Sequence, residues 1–335
     1  MAPDLTLQRV ADLRRGIIST LADGKFHSGA VLAETFGLSR TAIWKQIHSL
    51  AAYGLEVYTV PGRGYRIAEP LELLDRNAII SALSDAWFKK HGTIEVNFET
   101  DSTNHRLMQR LPGADIHAQA LMAEFQSAGR GRRGTTWVSP FASGIILSLG
   151  WRFESTPQAV AALSLAAGVA VADALSQSAG LVTRLKWPND ILCLGGKIGG
   201  ILIESRGETT GPFNVVIGVG VNVGLSDGVI RAIRQPVTDV RRNASRDFTR
   251  NQLAADLIGS LASMLRRFER YGFKSFINSW RELDYFQGKE AELIFADRKV
   301  RGTVEGIDDN GLLIMDLQGK RQSFSHGELS LRLGV

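Results

Sequence analysis

Apolar residues recur with helical spacing in three short stretches at the start of this chain. The stretches are Leu13 to Leu21, Val31 to Phe36 and Arg40 to Ala52. In the third stretch Ile43 and Ile47 stand four residues apart and Leu50 follows after three, which predicts one buried helical face. Ser28 and Ser39 precede the second and third stretches, in the position of a helix cap. The second and third stretches together predict a helix-turn-helix.

Two shorter apolar stretches follow and predict a β-hairpin. They run from Leu55 to Val60 and from Tyr65 to Ile67, and Pro61-Gly62-Arg63-Gly64 joins them through a basic tip. A helix-turn-helix with such a hairpin is a winged helix, whose recognition helix enters a DNA groove. The predicted DNA-contacting residues are Ser39, Arg40, Thr41, Trp44, Lys45, Gln46 and Arg63.

The charge of this first segment favours a polyanionic partner. Residues 1 to 68 carry eight lysines and arginines against five acidic residues. The alternative is a helical protein-binding module with ordinary solvated charges. Trp44 is open under both interpretations, because it can pack in the core or stack against a sugar-phosphate backbone.

Mixed helix and strand patterns follow a predicted boundary at Ala68-Glu69-Pro70. Helices are predicted at Ala159 to Ser178 and Arg250 to Tyr271, and strands at Ile145 to Trp151, Val182 to Trp187, Ile198 to Glu204 and Phe213 to Val223. From Gly288 onward short strands alternate with turns, which predicts a small barrel of about 50 residues. We therefore expect an α+β multidomain fold with domains at residues 1–68, 69–284 and 285–335.

Composition narrows the class of protein. A length of 335 residues with 44% apolar residues fits a globular protein of two or three domains. Cys193 is the only cysteine, and no charged and apolar leader opens the chain, so we expect a cytoplasmic protein. The longest apolar run, Ala159 to Leu175, is shorter than the roughly 20 residues of a membrane span and predicts a buried helix. The six histidines show no close pair with metal-ligand spacing, so no zinc site is predicted.

The run Gly-Arg-Gly-Arg-Arg-Gly, from Gly129 to Gly134, is suited to binding a phosphate. Its glycines let the backbone approach an anion closely, and its three arginines supply positive charge. The spacing also matches the dinucleotide-binding motif, but that motif must open a helix, and Thr135 to Pro140 does not predict one. A P-loop is excluded because no Gly-Lys-Ser or Gly-Lys-Thr ends the run.

Several motifs in this order resemble those of the biotin protein ligases. They are Asp101-Ser102-Thr103-Asn104, Glu124-Phe125-Gln126-Ser127-Ala128 leading into the arginine run, Lys186-Trp187-Pro188-Asn189-Asp190, Lys197, and Gly218-Val219-Gly220-Val221-Asn222. With the winged helix, nearly the whole chain resembles the bifunctional form, the biotin ligase and biotin operon repressor. The resemblance implies a central mixed α/β domain of the class II synthetase-like type and a C-terminal SH3-like barrel.

The family's reaction uses ATP and Mg²⁺ to convert biotin into biotinyl-5'-AMP, and then transfers biotin to an acceptor lysine. The resemblance implies the biotin carboxyl carrier protein of acetyl-CoA carboxylase as acceptor. Both reactants of the first step are negative, so fixed positive charge must bring them together. The matching positions assign this work to Lys197, and assign ligand contact and loop closure to Arg130 and Arg132. Alternation along an extended loop predicts that Arg133 faces elsewhere.

Uncharged polar side chains suit the ureido ring of biotin, which both accepts and donates hydrogen bonds. The biotin- or adenylate-binding residues implied by the resemblance are Ser102, Thr103, Asn104, Gln126, Arg130, Gly131, Arg132, Lys186, Trp187, Lys197 and Asn222. Asn189 and Asp190 offer oxygen ligands to Mg²⁺. Ser102 is equally a good helix cap.

One feature departs from some family members, which cover the adenine with a loop carrying apolar or aromatic side chains. Gly224 to Val240 contains no aromatic residue. Either the adenylate is held more loosely here, or aliphatic residues cover it: Val229, Ile230, Ile233 and Val237.

The resemblance also implies operator DNA as a partner and a ligand-promoted homodimer, with edge pairing of strands near Phe213 to Val223. Two other functions stay open. One is a monofunctional biotin or lipoate-type acyl ligase whose N-terminal domain does not regulate transcription, although the full arginine run argues against lipoate. The other is a DNA-binding sensor without catalysis, against which Lys197, Asp190 and Arg130 argue.

Overall fold

A computed structural model describes residues 5–111, 113–154, 160–207 and 212–331. Its helices are α1 Leu5–Leu21, α2 Gly29–Phe36, α3 Arg40–Ser49, α4 Arg76–Ala82, α5 Ala86–His91, α6 Thr103–Arg110, α7 Val160–Ala179, α8 Asp227–Ala232, α9 Val240–Asn243, α10 Arg250–Tyr271 and α11 Ile277–Leu283. Its strands are β1 Val57–Val60, β2 Gly64–Ile67, β3 Thr93–Thr100, β4 Gln119–Gln126, β5 Gly144–Phe153, β6 Arg184–Lys186, β7 Asp190–Cys193, β8 Gly196–Gly207, β9 Phe213–Asn222, β10 Glu290–Ile294, β11 Lys299–Ile307, β12 Leu313–Leu317, β13 Lys320–Phe324 and β14 Glu328–Leu331. Short 3₁₀ turns occur at Leu50–Tyr53, Arg132–Gly134 and Phe273–Ser275.

The first three helices and the β1–β2 hairpin form the predicted winged helix. The hydroxyls of Ser28 and Ser39 accept hydrogen bonds from the backbone N–H three residues later, so both predicted caps are confirmed. Helix α3 ends at Ser49, earlier than predicted, because a 3₁₀ turn takes over there. The Trp44 side chain is 47% exposed, so it does not pack in the core.

Seven strands form the central sheet in the order β3-β4-β5-β9-β8-β7-β6. Strands β3 and β4 run parallel, and the other neighbouring pairs are antiparallel. On β5, Ile145, Leu147 and Leu149 join the core that α7 and α10 cover, whereas Ser148 points to α6 on the other face. The predicted mixed α/β architecture is confirmed, with a helical layer on each face of the sheet.

Strand β9 lies in the interior of this sheet. Strand β5 pairs with one side of it over its whole length, and β8 pairs with the other side. The prediction that edge pairing near Phe213 to Val223 builds a dimer is therefore wrong, because both sides of the strand are already used. The outer side of β8 differs, since β7 pairs with it only as far as Gly200 and no described strand pairs there with residues 203–207.

Helix α7 lies in the main core, where it packs against α10 and the central sheet. Its stretch Ala162–Ala179 is long and apolar enough to cross a membrane, yet 78% of it is buried inside the protein, which confirms the predicted buried helix. The C-terminal strands form an antiparallel sheet in the order β13-β12-β11-β10-β14. The turn at Gly311 packs against Leu165 of α7, so this sheet shares the main core.

An aromatic cluster joins the winged helix to the central sheet. Tyr53, which ends the 3₁₀ turn after α3, packs against Phe98, Phe125 and Phe141. Its hydroxyl donates to the Glu99 carboxylate at 2.7 Å, and its carbonyl accepts from the Phe141 N–H. Phe125 and Phe141 flank the segment that carries the arginine run, so the predicted DNA-reading helix is tied to the predicted ligand loop. The three domain boundaries stay predictions.

Candidate active site

A cavity of about 550 Å³ opens on the α6 side of the central sheet, next to the C-terminal sheet. Residues from widely separated motifs meet there. The predicted residues that line it are Ser102, Thr103, Asn104, Gln126, Arg130, Gly131, Arg132, Lys186, Trp187, Asn189, Asp190 and Lys197. Asn222 is the one member of the predicted ligand and metal set that lies outside this lining.

Asp190 lies between two lysines on one wall of the cavity. Lys197 Nζ is 2.7 Å from Asp190 Oδ1, and Lys186 Nζ is 3.7 Å from Asp190 Oδ2. The three side chains are only 11 to 18% exposed, so solvent screens their charges weakly. A carboxylate placed between two cations offsets their mutual repulsion and fixes the position of the Lys197 ammonium.

The backbone of Lys197 is held from outside the cavity. Strand β8 has a bulge at Ile198, where two residues oppose one on β7, and a bulge re-aims neighbouring side chains. The Lys197 N–H donates to the Pro236 carbonyl, and the Lys197 carbonyl accepts from the Thr238 N–H and the Asn222 amide. The buried Asn222 amide thus contacts the Lys197 backbone, and the ligand-binding role of Asn222 stays a prediction.

The arginine run folds into a closed turn. The Gly131 N–H donates to the Thr135 carbonyl, and the Trp137 N–H donates to the Gly129 carbonyl. A 3₁₀ turn at Arg132–Gly134 forms its tip, and no α-helix opens from it. The exclusion of a dinucleotide-binding motif is confirmed.

Arg132 and Arg133 leave this turn in different directions. Arg132 Nη1 donates to Asn189 Oδ1 at 3.4 Å across the cavity, whereas Arg133 Nη1 donates to the Ile294 carbonyl of the C-terminal sheet at 3.5 Å. The two side chains diverge because the Arg133 backbone is left-handed, with φ 54°, and not because residues alternate along an extended loop as predicted. Arg133 still lines the cavity. The pKa of Arg132 is lowered, first by burial and then by the positive charge of Arg133, whereas the carboxylates of Asp190 and Glu328 act to raise it. The guanidinium remains protonated.

A hydrogen-bonded polar network forms another part of the wall. Gln126 Oε1 accepts from the Thr103 N–H at 2.8 Å and lies 3.2 Å from its hydroxyl. The Ser148 hydroxyl lies 2.7 Å from Thr103 Oγ1 and 2.6 Å from Asn104 Oδ1. Sequence reasoning missed Ser148, because its direction depends on the orientation of β5 in the sheet. The predicted helix cap at Ser102 is confirmed.

Two glycines of β9 make room for this wall. A side-chain carbon at Gly218 would lie 2.4 Å from Asn104 Oδ1, and one at Gly220 would lie 2.5 Å from the Trp137 ring. The centroid of that ring is 5.7 Å from Lys197 Nζ, within reach of a cation–π interaction. Sequence reasoning missed Trp137 as well, although a tryptophan three residues after the arginine run was an available signal.

The segment after α8 closes one end of the cavity, where Ile233, Arg234 and Gln235 line it. Of the four aliphatic residues named as a possible cover for adenine, Ile233 lines the cavity, whereas Val229, Ile230 and Val237 do not. The way in which adenine is covered stays a prediction. Elsewhere the buried Trp187 lines the wall, and its Nε1 donates to the Gly311 carbonyl at 3.0 Å, which anchors the wall to the C-terminal sheet.

Asn189 and Asp190 offer side-chain oxygens to a metal ion, but these oxygens already contact cationic side chains. Asp190 pairs with the lysines, and Asn189 Oδ1 accepts from Arg132. Within the described ranges no group of three or more His, Cys, Asp or Glu could hold a metal ion. Two such oxygens suit Mg²⁺ only within a shell that phosphates and water complete.

The predicted DNA-contacting residues form one exposed surface with a single exception. Its exposed members are Ser39, Arg40, Thr41, Trp44, Lys45 and Arg63. The exception is Gln46, which is half-buried and accepts a hydrogen bond from Arg14 at 3.4 Å. Gln46 thus links α3 to α1, and its contact with DNA stays a prediction. His48, which sequence reasoning did not select, packs against Trp44 in a tilted arrangement with ring centroids 4.0 Å apart.

Comparisons with known proteins agree with this arrangement. The Biotin/lipoate A/B protein ligase family matches residues 98–222, the HTH domain matches residues 14–66, and the Biotin protein ligase C terminal domain matches residues 288–332. The bifunctional ligase/repressor BirA of Salmonella typhimurium is 39% identical over 94% of this chain and 96% of its own length. This chain belongs to the bifunctional biotin ligase/repressor family.

Two further proteins resemble part of this ligase/repressor. The biotin--[acetyl-CoA-carboxylase] ligase of Paracoccus denitrificans is 35% identical over 69% of this chain and 97% of its own length. The solved biotin protein ligase of Aquifex aeolicus in complex with biotin and ATP covers 72% of this chain and 98% of its own, with a TM-score of 0.62 and 25% identity.

The Gly220→Ala substitution is expected to displace the Trp137 ring and weaken binding of biotin, the family's ligand. Overpacking a well-filled site costs about 1 to 3 kcal/mol, so the dissociation constant should rise roughly 5- to 150-fold in isothermal titration calorimetry. Gly228→Ala is the control, because its added carbon would meet nothing closer than 3.9 Å. Equal biotin affinity in the two variants would show that this ring is no part of the binding wall.

Proposed function

We propose that this chain uses ATP to convert biotin into biotinyl-5'-AMP, and transfers the biotinyl group to a lysine of the biotin carboxyl carrier protein of acetyl-CoA carboxylase. The observation that carries the proposal is the division of one cavity into two chemistries. Lys186, Lys197 and the arginine turn supply positive charge, and the network around Gln126 supplies neutral donors and acceptors. Family membership and a fold shared with a ligase bound to biotin and ATP support it.

Adenylate formation brings two anions together. A carboxylate oxygen of biotin attacks the α-phosphorus of ATP, and the bond from that phosphorus to pyrophosphate breaks. The Lys197 ammonium, held by Asp190, offsets the negative charge that gathers where the new bond forms. Arg130 and Arg132 close over the product and keep water from the mixed anhydride.

Biotin is recognised by groups that are already partly hydrogen-bonded. Ser102, Thr103, Asn104 and Gln126 lie together, and the first three of them are almost completely buried. Buried polar groups left unpaired cost about 1 to 3 kcal/mol each, so a ligand without the ureido pattern is rejected. The apolar part of the lining, which includes Ile146 on the α6 face of β5, accepts the rest of the molecule.

Mg²⁺ would be bound at this site together with the triphosphate. Asp190 and Asn189 are the protein oxygens that would share its shell, with phosphates and water supplying the remainder. The ion neutralises phosphate charge when bound. Asp190 remains in contact with Lys197 in the structure, so the lysine contact and any metal contact compete for one carboxylate.

The winged helix is proposed to bind operator DNA, with biotinyl-5'-AMP as corepressor of biotin synthesis genes in the cytoplasm. Lys45 and Arg63 lie exposed where phosphates would lie along the recognition helix and the hairpin tip. Two half-sites require a dimer, which the ligand promotes. The unpaired outer side of β8 at residues 203–207 is the surface that a second copy can extend.

Lys197→Met is expected to block adenylate formation, because it removes the charge at the reacting atoms and nearly keeps the side-chain shape. By comparison with removal of one oxyanion donor, the loss should be about 2.7 to 4 kcal/mol, or roughly 100- to 1,000-fold. Exchange of labelled pyrophosphate into ATP measures this step alone. Lys274→Met, at an exposed lysine outside the cavity, is the control. Exchange near the parent rate in Lys197→Met would refute the assignment.

Biotin and ATP are expected to raise both the dimer fraction and the affinity for operator DNA, since one winged helix binds a half-site weakly. Lys45→Ala should weaken operator binding in both ligand states and reduce the salt slope by about 1, because one phosphate contact is lost. Analytical ultracentrifugation and fluorescence anisotropy measure the two effects, with Lys274→Ala as control. Operator affinity that does not change with ligand would leave a ligase whose DNA-binding domain is not regulated.

A further inference from the structure

One carboxylate in the cavity has no partner. The charged residues of the lining comprise six cations and two acids, Asp190 and Glu328. The lysines hold Asp190. Glu328 is exposed, and among the described residues none forms a hydrogen bond or ion pair with its side chain. The Glu328 carboxylate thus has no hydrogen-bond or ion-pair partner among the described residues, in a cavity that is otherwise strongly positive.

Strand β14 brings Glu328 to the arginine turn from the C-terminal sheet. Glu328 is in register with Ile294 on β10, whose carbonyl accepts from Arg133. The preceding Gly327 has φ 143°, and a side-chain carbon there would lie 2.4 Å from Leu293, so glycine is needed for this backbone path. Without a direct contact, the negative charge of Glu328 acts on Arg132 and opposes the lowering of its pKa by burial.

Transfer of biotin requires a cation to enter this cavity. The nitrogen of the acceptor lysine attacks the acyl carbon of the adenylate, the bond from that carbon to the phosphate oxygen breaks, and AMP leaves with the electron pair. The lysine loses one proton before attack and a second as the amide forms, and both protons pass to water. A lysine in solution is an ammonium at neutral pH. Six cations therefore repel the group that must enter.

We propose that Glu328 attracts the acceptor lysine into the cavity as a positioning residue for the transfer step. The inference rests on the proposed function. The other carboxylate of the lining, Asp190, is held by two lysines, so Glu328 is the lining acid that can attract a further cation. Charge pairs at exposed sites change equilibria by up to about fivefold, and salt weakens them.

The test separates attraction of a cation from the chemistry of transfer. Enzyme loaded with adenylate is purified from free nucleotide, then mixed with butylamine, an ammonium like the lysine side chain, or with hydroxylamine, which is neutral at pH 7.5. Release of AMP per loaded enzyme is followed by rapid quench. The variants are Glu328→Gln and, as control, Glu305→Gln, whose carboxylate lies outside the cavity and pairs with Arg321.

We expect Glu328→Gln to lower the ratio of the butylamine rate to the hydroxylamine rate about three- to fivefold at low salt. The difference in this ratio between Glu328→Gln and the parent should shrink in 0.5 M salt, because the Debye length falls to about 4 Å there. It should also shrink at alkaline pH, because butylamine then loses its charge. Glu305→Gln should keep the parent ratio. An unchanged ratio in Glu328→Gln, or an equal loss with both amines, overturns the inference. Failure of the parent enzyme to form adenylate at all would instead overturn the proposed function.

Discussion

The ion contacts of Asp190 are the constraint on which the active site depends. Two lysines, three arginines and Arg234 line one cavity, and such a set repels itself unless something negative holds it. The Asp190 carboxylate supplies this negative charge, with Oδ1 2.7 Å from Lys197 Nζ and Oδ2 3.7 Å from Lys186 Nζ. The carboxylate follows the Trp187-Pro188 turn at the start of β7, so the strand pairing of β7 with β8 fixes the distance between the acid and Lys197.

The cavity lies where the three parts of the chain meet. Trp187 donates a hydrogen bond to the Gly311 carbonyl of the C-terminal domain. The arginine turn leads along the chain to Phe141, which packs against Tyr53 just after the recognition helix. Ala142, next in the chain, is buried with φ 54°, a conformation that costs a non-glycine residue about 1 to 2 kcal/mol. The contact between Phe141 and Tyr53 therefore couples any movement of the arginine turn on ligand binding to the winged helix. This coupling gives a ligand in the cavity a physical connection to DNA binding.

Sequence reasoning succeeded where the signal was local. The caps at Ser28, Ser39 and Ser102 follow from short side-chain contacts, and the arginine run and the Lys186 to Asp190 motif carry their chemistry in their own residue types. Sequence reasoning was insufficient where the order of strands in the sheet, or the burial of a side chain, determines which contacts are made. The interior position of β9 cannot be read from its own residues. The hydrogen bonds of Asn222 and Gln46, both predicted as contact residues, could not be read from the sequence either, because their partners lie 25 and 32 positions away.

The central claim, that Asp190 acts by holding the two lysines, is tested most directly by single-turnover formation of adenylate in Asp190→Asn at saturating biotin and ATP. Asparagine keeps the shape and an oxygen but loses the charge, so Lys197 is no longer held against its neighbours. We predict a rate at least about tenfold lower, equivalent to roughly 1.4 kcal/mol, at every Mg²⁺ concentration, while ATP affinity does not fall. A parent-like rate, or one restored by high Mg²⁺, would contradict this role and assign the carboxylate to the metal.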